Sequence, residues 1–163
     1  MTAASDSEPG GVLHRSWSAD LTTTTLYALL RLRVDVFVVE QACPYPELDG
    51  RDLEPGTRHY WIAADDGTVA STLRVLEDPP TVDGEPMFRI GRVCTHRAHR
   101  GKHLSNRLMD AALADIGEHA CRVEAQAYLT EMYAAHGFVA EGAEYLEDGI
   151  PHVSMLRPKV SAR

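Results

Sequence analysis

The stretch from Arg89 to Ile116 constrains this chain most: an extended run, a cationic glycine turn and an amphipathic helix follow one another without interruption. Arg89-Ile90-Gly91-Arg92-Val93-Cys94-Thr95 has the composition of a buried strand. Leu104, Leu108, Ala111 and Ala112 fall on one side of a helical wheel, widened by Met109 and Ile116, with Arg107, Asp110 and Glu118 opposite. Between strand and helix lies Arg100-Gly101-Lys102-His103-Leu104-Ser105. The first amides of a helix lack intrahelical partners and sit at the positive end of its dipole. A strand, a basic turn and a helix in this order therefore make an anion site.

With 163 residues, 44% of them hydrophobic and 25% charged, the chain is expected to fold as one domain around a single core, residues 12–158. Residues 1–11 mix Ser, Asp, Glu, Pro and Gly and are expected as a disordered lead, with residues 159–163 as a C-terminal tail. No apolar run is long enough to cross a bilayer, and Met1 to Asp6 show neither a basic nor an apolar signal region. A cytoplasmic location is the resulting expectation. Cys43, Cys94 and Cys121, without a Cys-x-x-Cys pair, are expected as reduced thiols, two of them in strands. The formal net charge of -8 argues against nucleic acid or an anionic membrane as partner and favours a cationic one. Against that background, Arg92, Arg97, Arg100, Lys102 and Arg107 concentrate positive charge around the glycine turn.

Elsewhere, Val12 to Trp17 reads as a first strand. Asp20 or Thr22 can cap a helix carrying Leu26, Leu30, Val34, Phe37 and Val38 on one face. Cys43 to Thr57 is a loop punctuated by proline and glycine, whose Glu47, Asp49 and Asp52 are expected to attract a cation. His59 to Ala64 and Val69 to Leu76, joined through Asp65-Asp66-Gly67-Thr68, read as a β-hairpin. Cys121 to Ala127 is a further strand, Thr130 caps a short helix ending at Gly137, and Phe138 opens an extended run. His152 to Leu156 closes the sheet. The order is an α+β plan, a mixed, mostly antiparallel central sheet flanked by helices.

The turn from Arg100 to Ser105 resembles the pyrophosphate signature of the GNAT superfamily of acetyl-CoA-dependent N-acetyltransferases: Gln or Arg, two variable residues, Gly, one variable residue, then Gly or Ala. His103 stands at the glycine position and Ser105 at the glycine or alanine position. Gln126, Tyr133, Gly137 and Phe138 keep the superfamily's spacing of an amide residue, a tyrosine and a Gly-Phe pair. Val36-Phe37-Val38-Val39-Glu40-Gln41, Cys43-Pro44-Tyr45, Asp49-Gly50 and Asp148-Gly149-Ile150-Pro151-His152 are similar to the ElaA-like branch. The likeness covers Trp17 to about Pro158.

This resemblance implies a GNAT fold in which splayed central strands, Arg89 to Thr95 and Cys121 to Gln126, form an acyl-CoA cleft. It implies acetyl-CoA as co-substrate, without a metal, and acetyl transfer by direct attack of a primary amine on a small molecule, a peptide terminus or a lysine. Backbone groups of Val93 and Thr95 would pair with the pantetheine arm. The amides of Gly101, Lys102, His103, Leu104 and Ser105 would hold the pyrophosphate, with Arg100 and Lys102 adding charge. Gln126 would hydrogen-bond the arm. Tyr133 would be the general acid, since a phenol of reference pKa about 10 keeps its proton at neutral pH. Glu40 is the leading candidate for the base, with His59, His96, Glu124, His152 and a chain of waters as rivals. His96, His99 and His103 make a poor metal triad, because Arg97, Arg100 and Lys102 are interleaved and no carboxylate lies in the run. A second functional class, a non-catalytic acyl-CoA-binding regulatory module, is motivated by His103 and Ser105. Exposed sheet edges would suit a homodimer.

Overall fold

Alternation and turn chemistry account for the first half of the sheet. β1 (Val12–Trp17) pairs antiparallel with β2 (Arg58–Ala63), and β2 with β3 (Val69–Asp78) through the expected hairpin. In its turn Gly67 takes a φ of 83° and Asp66 Oδ1 accepts from the Thr68 amide. The glycine supplies the left-handed step and the aspartate fixes it. The structure, a computed structural model, describes residues 10–160. β3 pairs antiparallel with β4 (Met87–Thr95), and β4 runs parallel to β5 (Ala120–Gln126). β5 pairs with β8 (Ile150–Arg157), whose other neighbours are the short β6 (Val139–Ala140) and β7 (Tyr145–Glu147). The last strand therefore inserts into the sheet instead of closing an edge, in the order β1-β2-β3-β4-β5-β8-β6.

Two helices cover opposite faces. α2 (Leu104–Ile116) buries Leu104, Leu108, Met109, Ala112, Leu113 and Ile116 in a core with Tyr60, Ile62, Leu73, Ile90 and Val123. Transfer of each large side chain among them contributes about 1.5–3 kcal/mol. α1 (Thr23–Arg33) packs Leu29 and Leu32, with Val36 just beyond its end, against Val69, Cys94 and Trp61. Trp61 alternates with Tyr60 and Ile62 along β2, so the two clusters lie on the two sides of the sheet. α3 (Thr130–Ala135) follows β5 and leads into Gly137, whose φ is 92°.

α1 departs from the expected helix. Thr22 caps it, accepting from the Thr25 amide at 3.1 Å, but after Arg33 the chain winds into a π-helical segment, Val34–Glu40. The wider turn shifts the phase of the apolar positions. Leu29, Leu32 and Val36 are buried, whereas Leu26, Leu30, Val34, Phe37 and Val38 are half-buried. Arg33, which a polar count places outside, is 1% exposed.

Its partner is the acidic loop. Arg33 Nε donates to Glu47 at 2.8 Å, and its two terminal nitrogens engage both oxygens of Asp52. Arg74 on β3 donates to Asp49 at 2.9 Å and to Asp52 at 3.1 Å, and Arg92 on β4 pairs with Glu47 at 3.0 Å. Glu47, Asp52, Arg33 and Arg74 are all buried. The carboxylates of Glu47 and Asp52 thus face inward onto guanidinium groups, and the more exposed Asp49 is paired with Arg74. This corrects the expectation that Glu47, Asp49 and Asp52 form a cation-attracting surface: removing such charges from water requires counter-charges, and the sequence supplies three arginines.

The network makes stability pH-dependent in a stated direction. Burial alone would raise the Asp52 carboxyl, but the Arg33 hydrogen bonds and charge, with that of Arg74, outweigh it and hold its pKa low. The Arg74 hydrogen bond likewise holds Asp49 low. Burial pushes the His59 imidazole down, its Nε2 being 3.1 Å from the Asp52 carbonyl. As pH falls, the unfolded chain takes up these protons before the folded one does. Stability is therefore expected to decline first below about pH 6.5, through His59, and again below about pH 4, through Asp52 and Asp49. Urea midpoints on either side of each value check this; a midpoint constant across both would contradict it.

The expected disordered lead lies, for residues 1–9, outside the described residues. Gly11 is buried, and its carbonyl accepts from Arg107 at 3.2 Å. At the other end Lys159 pairs with Glu85 at 2.9 Å, and residues 161–163 lie outside the described residues.

Candidate active site

β4 and β5 pair only through Met87 to Arg89 and Ala120 to Arg122. From Ile90 onward the edge of β4 that faces β5 carries backbone amides and carbonyls with no strand beside them. The parting opens a cleft of about 610 Å³. Glu40, Val93, Thr95, Gln126, Tyr133 and the whole turn from Arg100 to Ser105 line it, so every site residue expected from the sequence comes to one place. Of the rival bases Glu124 and His152 also line it. His59 instead sits in the buried arginine network, and His96 Nδ1 accepts from the Ala98 amide at 3.0 Å.

The turn has the backbone that an anion cradle needs. Gly101 has a φ of 81° and His103, immediately before α2, a φ of 58°. No heavy atom lies within 4 Å of a Cβ built on Gly101, so the glycine is required for its dihedral and not for space. His103 adopts the same left-handed region with a side chain, which explains why glycine is the usual residue there. Ser105 Oγ lies 3.1 Å from Thr95 Oγ1, which lies 2.9 Å from Ser71 Oγ. These hydroxyls tie the first turn of α2 to the ends of β4 and β3. A left-handed residue with a Cβ costs about 1–2 kcal/mol, part of which glycine's greater unfolded-state freedom offsets. His103→Gly is thus expected to raise stability by about 0.5–1 kcal/mol, and Gly101→Ala to lower it by about 1 kcal/mol. Thermal unfolding of the two variants checks the opposite signs.

Glu40 ends the π-helical segment and reaches across to this turn. Its carboxylate accepts from Arg97 Nε at 3.1 Å and Arg100 Nη1 at 2.9 Å, with a second contact from each guanidinium. The Arg100 hydrogen bonds, with those of Arg97, outweigh desolvation and lower its pKa to about 2. A carboxylate so engaged is a weak proton acceptor. Arg100 Nε also donates to the Thr95 carbonyl at 3.1 Å, leaving less of Thr95's backbone free than expected.

Tyr133, on α3, is 5% exposed and packs edge-on to Phe138 with centroids 6.0 Å apart. Burial, and next the neighbouring Tyr128, push its phenol well above the usual tyrosine range. Among the described residues its hydroxyl has no hydrogen-bond partner. Gln126 exchanges amide contacts at 3.3–3.5 Å with Gln41, just past the π-helical segment.

Three features escaped the sequence. The β3–β4 register slips between Thr72 and Arg74, a bulge at which Arg92 takes a φ of 53°. Bulges re-aim strands beside functional sites. Arg92 lies over the Tyr45 ring at 5.7 Å, so the bulge and the anchored loop form one wall. Glu124 accepts from Arg89 at 2.9 Å and from the Tyr145 hydroxyl at 2.6 Å, a cluster assembled from β4, β5 and β7. The neighbouring Gly91 was the one local hint of irregularity.

The family model described as "Acetyltransferase (GNAT) domain" matches residues 31–157. The chain belongs to the GNAT acetyltransferase family. A UPF0039 protein of Mycobacterium tuberculosis is 62% identical over 146 residues, covering 90% of this chain and 92% of its own. Protein ElaA of Escherichia coli is 40% identical over 154 residues, covering 92% and 96%, which puts this GNAT chain in the ElaA-like branch. The crystal structure of an acyl-CoA N-acyltransferase from Pseudomonas aeruginosa superposes with a TM-score of 0.81 at 43% identity, covering 90% of this chain and 98% of that one. That of ElaA gives 0.80 at 35% over the same shares. GNAT acyltransferases use acyl-CoA as co-substrate and act on amine-bearing acceptors. Among the described residues no three His, Cys, Asp or Glu side chains converge as metal ligands, and no helix is long and apolar enough to cross a membrane.

Proposed function

We propose that this GNAT protein transfers acetyl from acetyl-CoA to a primary amine of a small molecule or peptide. The observation that carries the reading is the parting of β4 from β5 beyond Arg89, with Tyr133 lining the gap. An extended pantetheine arm would add to the open edge of β4 at Val93 and Thr95 as a strand does. The amides from Gly101 to Ser105 would receive the pyrophosphate, at the start of a 13-residue helix. Gln126 would hydrogen-bond the arm.

In the transfer the neutral amine attacks the thioester carbonyl, forming the C–N bond and a tetrahedral centre. Collapse breaks the C–S bond, and the departing thiolate takes the Tyr133 proton. The phenolate then regains a proton from the nitrogen of the product through water. The raised pKa of Tyr133 keeps the phenol charged with its proton until a strong acceptor forms beside it. Glu40 takes a different role from the one first expected: with both arginines on its carboxylate, it brackets Arg97 and Arg100 at the phosphate turn.

A released-thiol assay over a panel of primary amines tests the reading. Turnover on at least one amine, dependent on acetyl-CoA, is expected. Tight acetyl-CoA binding with no turnover on any of them overturns it in favour of a non-catalytic acyl-CoA-binding module.

A further inference from the structure

The transfer needs an acceptor for the first proton of the ammonium, and Glu40 is saturated by arginines. We infer that His152 is that base; the inference rests on the transferase reading above.

His152 stands on β8 directly opposite Gln126 of β5, so the two side chains share one face of the sheet and both line the cleft. Ring and backbone fix its tautomer. Nδ1 lies 2.7 Å from the Ile150 carbonyl oxygen. A carbonyl only accepts, so Nδ1 carries the hydrogen and the neutral ring keeps its lone pair on Nε2. Nε2 has no hydrogen-bond partner among the described residues. The ring is held in place by stacking on Tyr145, with centroids 5.9 Å apart and planes 26° from parallel. Tyr145 is in turn fixed by its hydrogen bond to Glu124 at 2.6 Å.

Among the carboxylates that line the cleft, Glu40 and Glu124 are already engaged. Glu124 has one oxygen on Tyr145 and the other on Arg89 and Ser154. Glu147, at the end of β7, and Asp148, on the turn after it, are exposed, where solvent competes for any proton they hold. Among the described residues, His152 offers a positioned, unshared lone pair on the sheet face that carries Gln126. The step balances: Nε2 takes one proton from the ammonium, giving imidazolium and a neutral amine that attacks the thioester, and the imidazolium returns the proton to bulk water after product leaves.

The test compares wild type with His152→Ala and His152→Gln, using acetyl-CoA and an amine that the wild type turns over. Both variants are expected to lose about 10²-fold or more in kcat while binding acetyl-CoA as the wild type does. Added imidazole is expected to restore part of the rate to His152→Ala and none to His152→Gln, whose side chain fills the space. His152→Gln retains an amide donor for the Ile150 carbonyl, so it separates loss of the base from loss of the β7–β8 turn. Full activity in either folded variant, or a loss that imidazole leaves untouched, overturns the assignment. A wild type inactive on every amine overturns instead the transferase reading on which it rests.

Discussion

Tyr133→Phe is expected to lower kcat by about 10²–10⁴-fold, the usual share of a positioned general acid, while the KM for acetyl-CoA stays near its wild-type value. The substitution removes one oxygen and leaves the ring against Phe138. Because that hydroxyl has no partner among the described residues, no buried acceptor is orphaned. Stability should therefore be unchanged or slightly improved, within about 1 kcal/mol. Steady-state kinetics and thermal unfolding on the same preparation separate the two effects. A variant that retains full kcat would remove Tyr133 from the chemistry, and one that loses kcat together with its folded state would make it a packing residue.

The second large effect is on folding. Asp52→Ala is expected to destabilise the protein by about 3–5 kcal/mol, because it takes the counter-charge from guanidinium groups that stay buried. Arg33 would keep Glu47 and Arg74 would keep Asp49, but each loses its shared central carboxylate. Against a typical total of about 5–15 kcal/mol this is a major fraction, visible as a drop in the urea midpoint. Asp52 is also held from its backbone, whose carbonyl accepts from Ser18 Oγ at 2.6 Å, and that contact survives the substitution. A shift below about 1 kcal/mol would mean that water or the remaining carboxylates satisfy the arginines.

Local chemistry made much of this molecule legible. The hairpin was readable because Asp66 and Gly67 dictate their own turn. The strand, turn and helix from β4 to α2 were readable because periodicity changes from two to about 3.6 across Gly101. The place of Tyr133 and Gln126 in the cleft was readable from their spacing to Gly137 and Phe138 in a known family pattern. What could not be read depends on segments far apart in the chain. Arg33 looks polar on a helical wheel until the loop more than ten residues later is folded against it. The π-helical winding of Val34–Glu40 has no marker of its own, and it re-phased the apolar face. Glu40 could be placed near the site, yet its grip on Arg97 and Arg100 spans 57 and 60 positions of sequence. The bulge at Arg92 lacks a glycine at the left-handed position, so beyond the hint of Gly91 beside it the paired register is what reveals it.

The arginine network also separates two quantities that sequence alone merges. A net charge of -8 is a property of the whole molecule, and its pull on an approaching amine is screened out over about 8–10 Å. Closer in, Glu47, Asp49 and Asp52 present paired, nearly cancelling charges, and their field falls away as that of multipoles. The cleft wall at Tyr45 and Arg92 is therefore backed by paired charges and not by a bare acidic patch. On the proposed transfer, discrimination at that wall would rest on shape and on single hydrogen bonds rather than on attraction for positive charge.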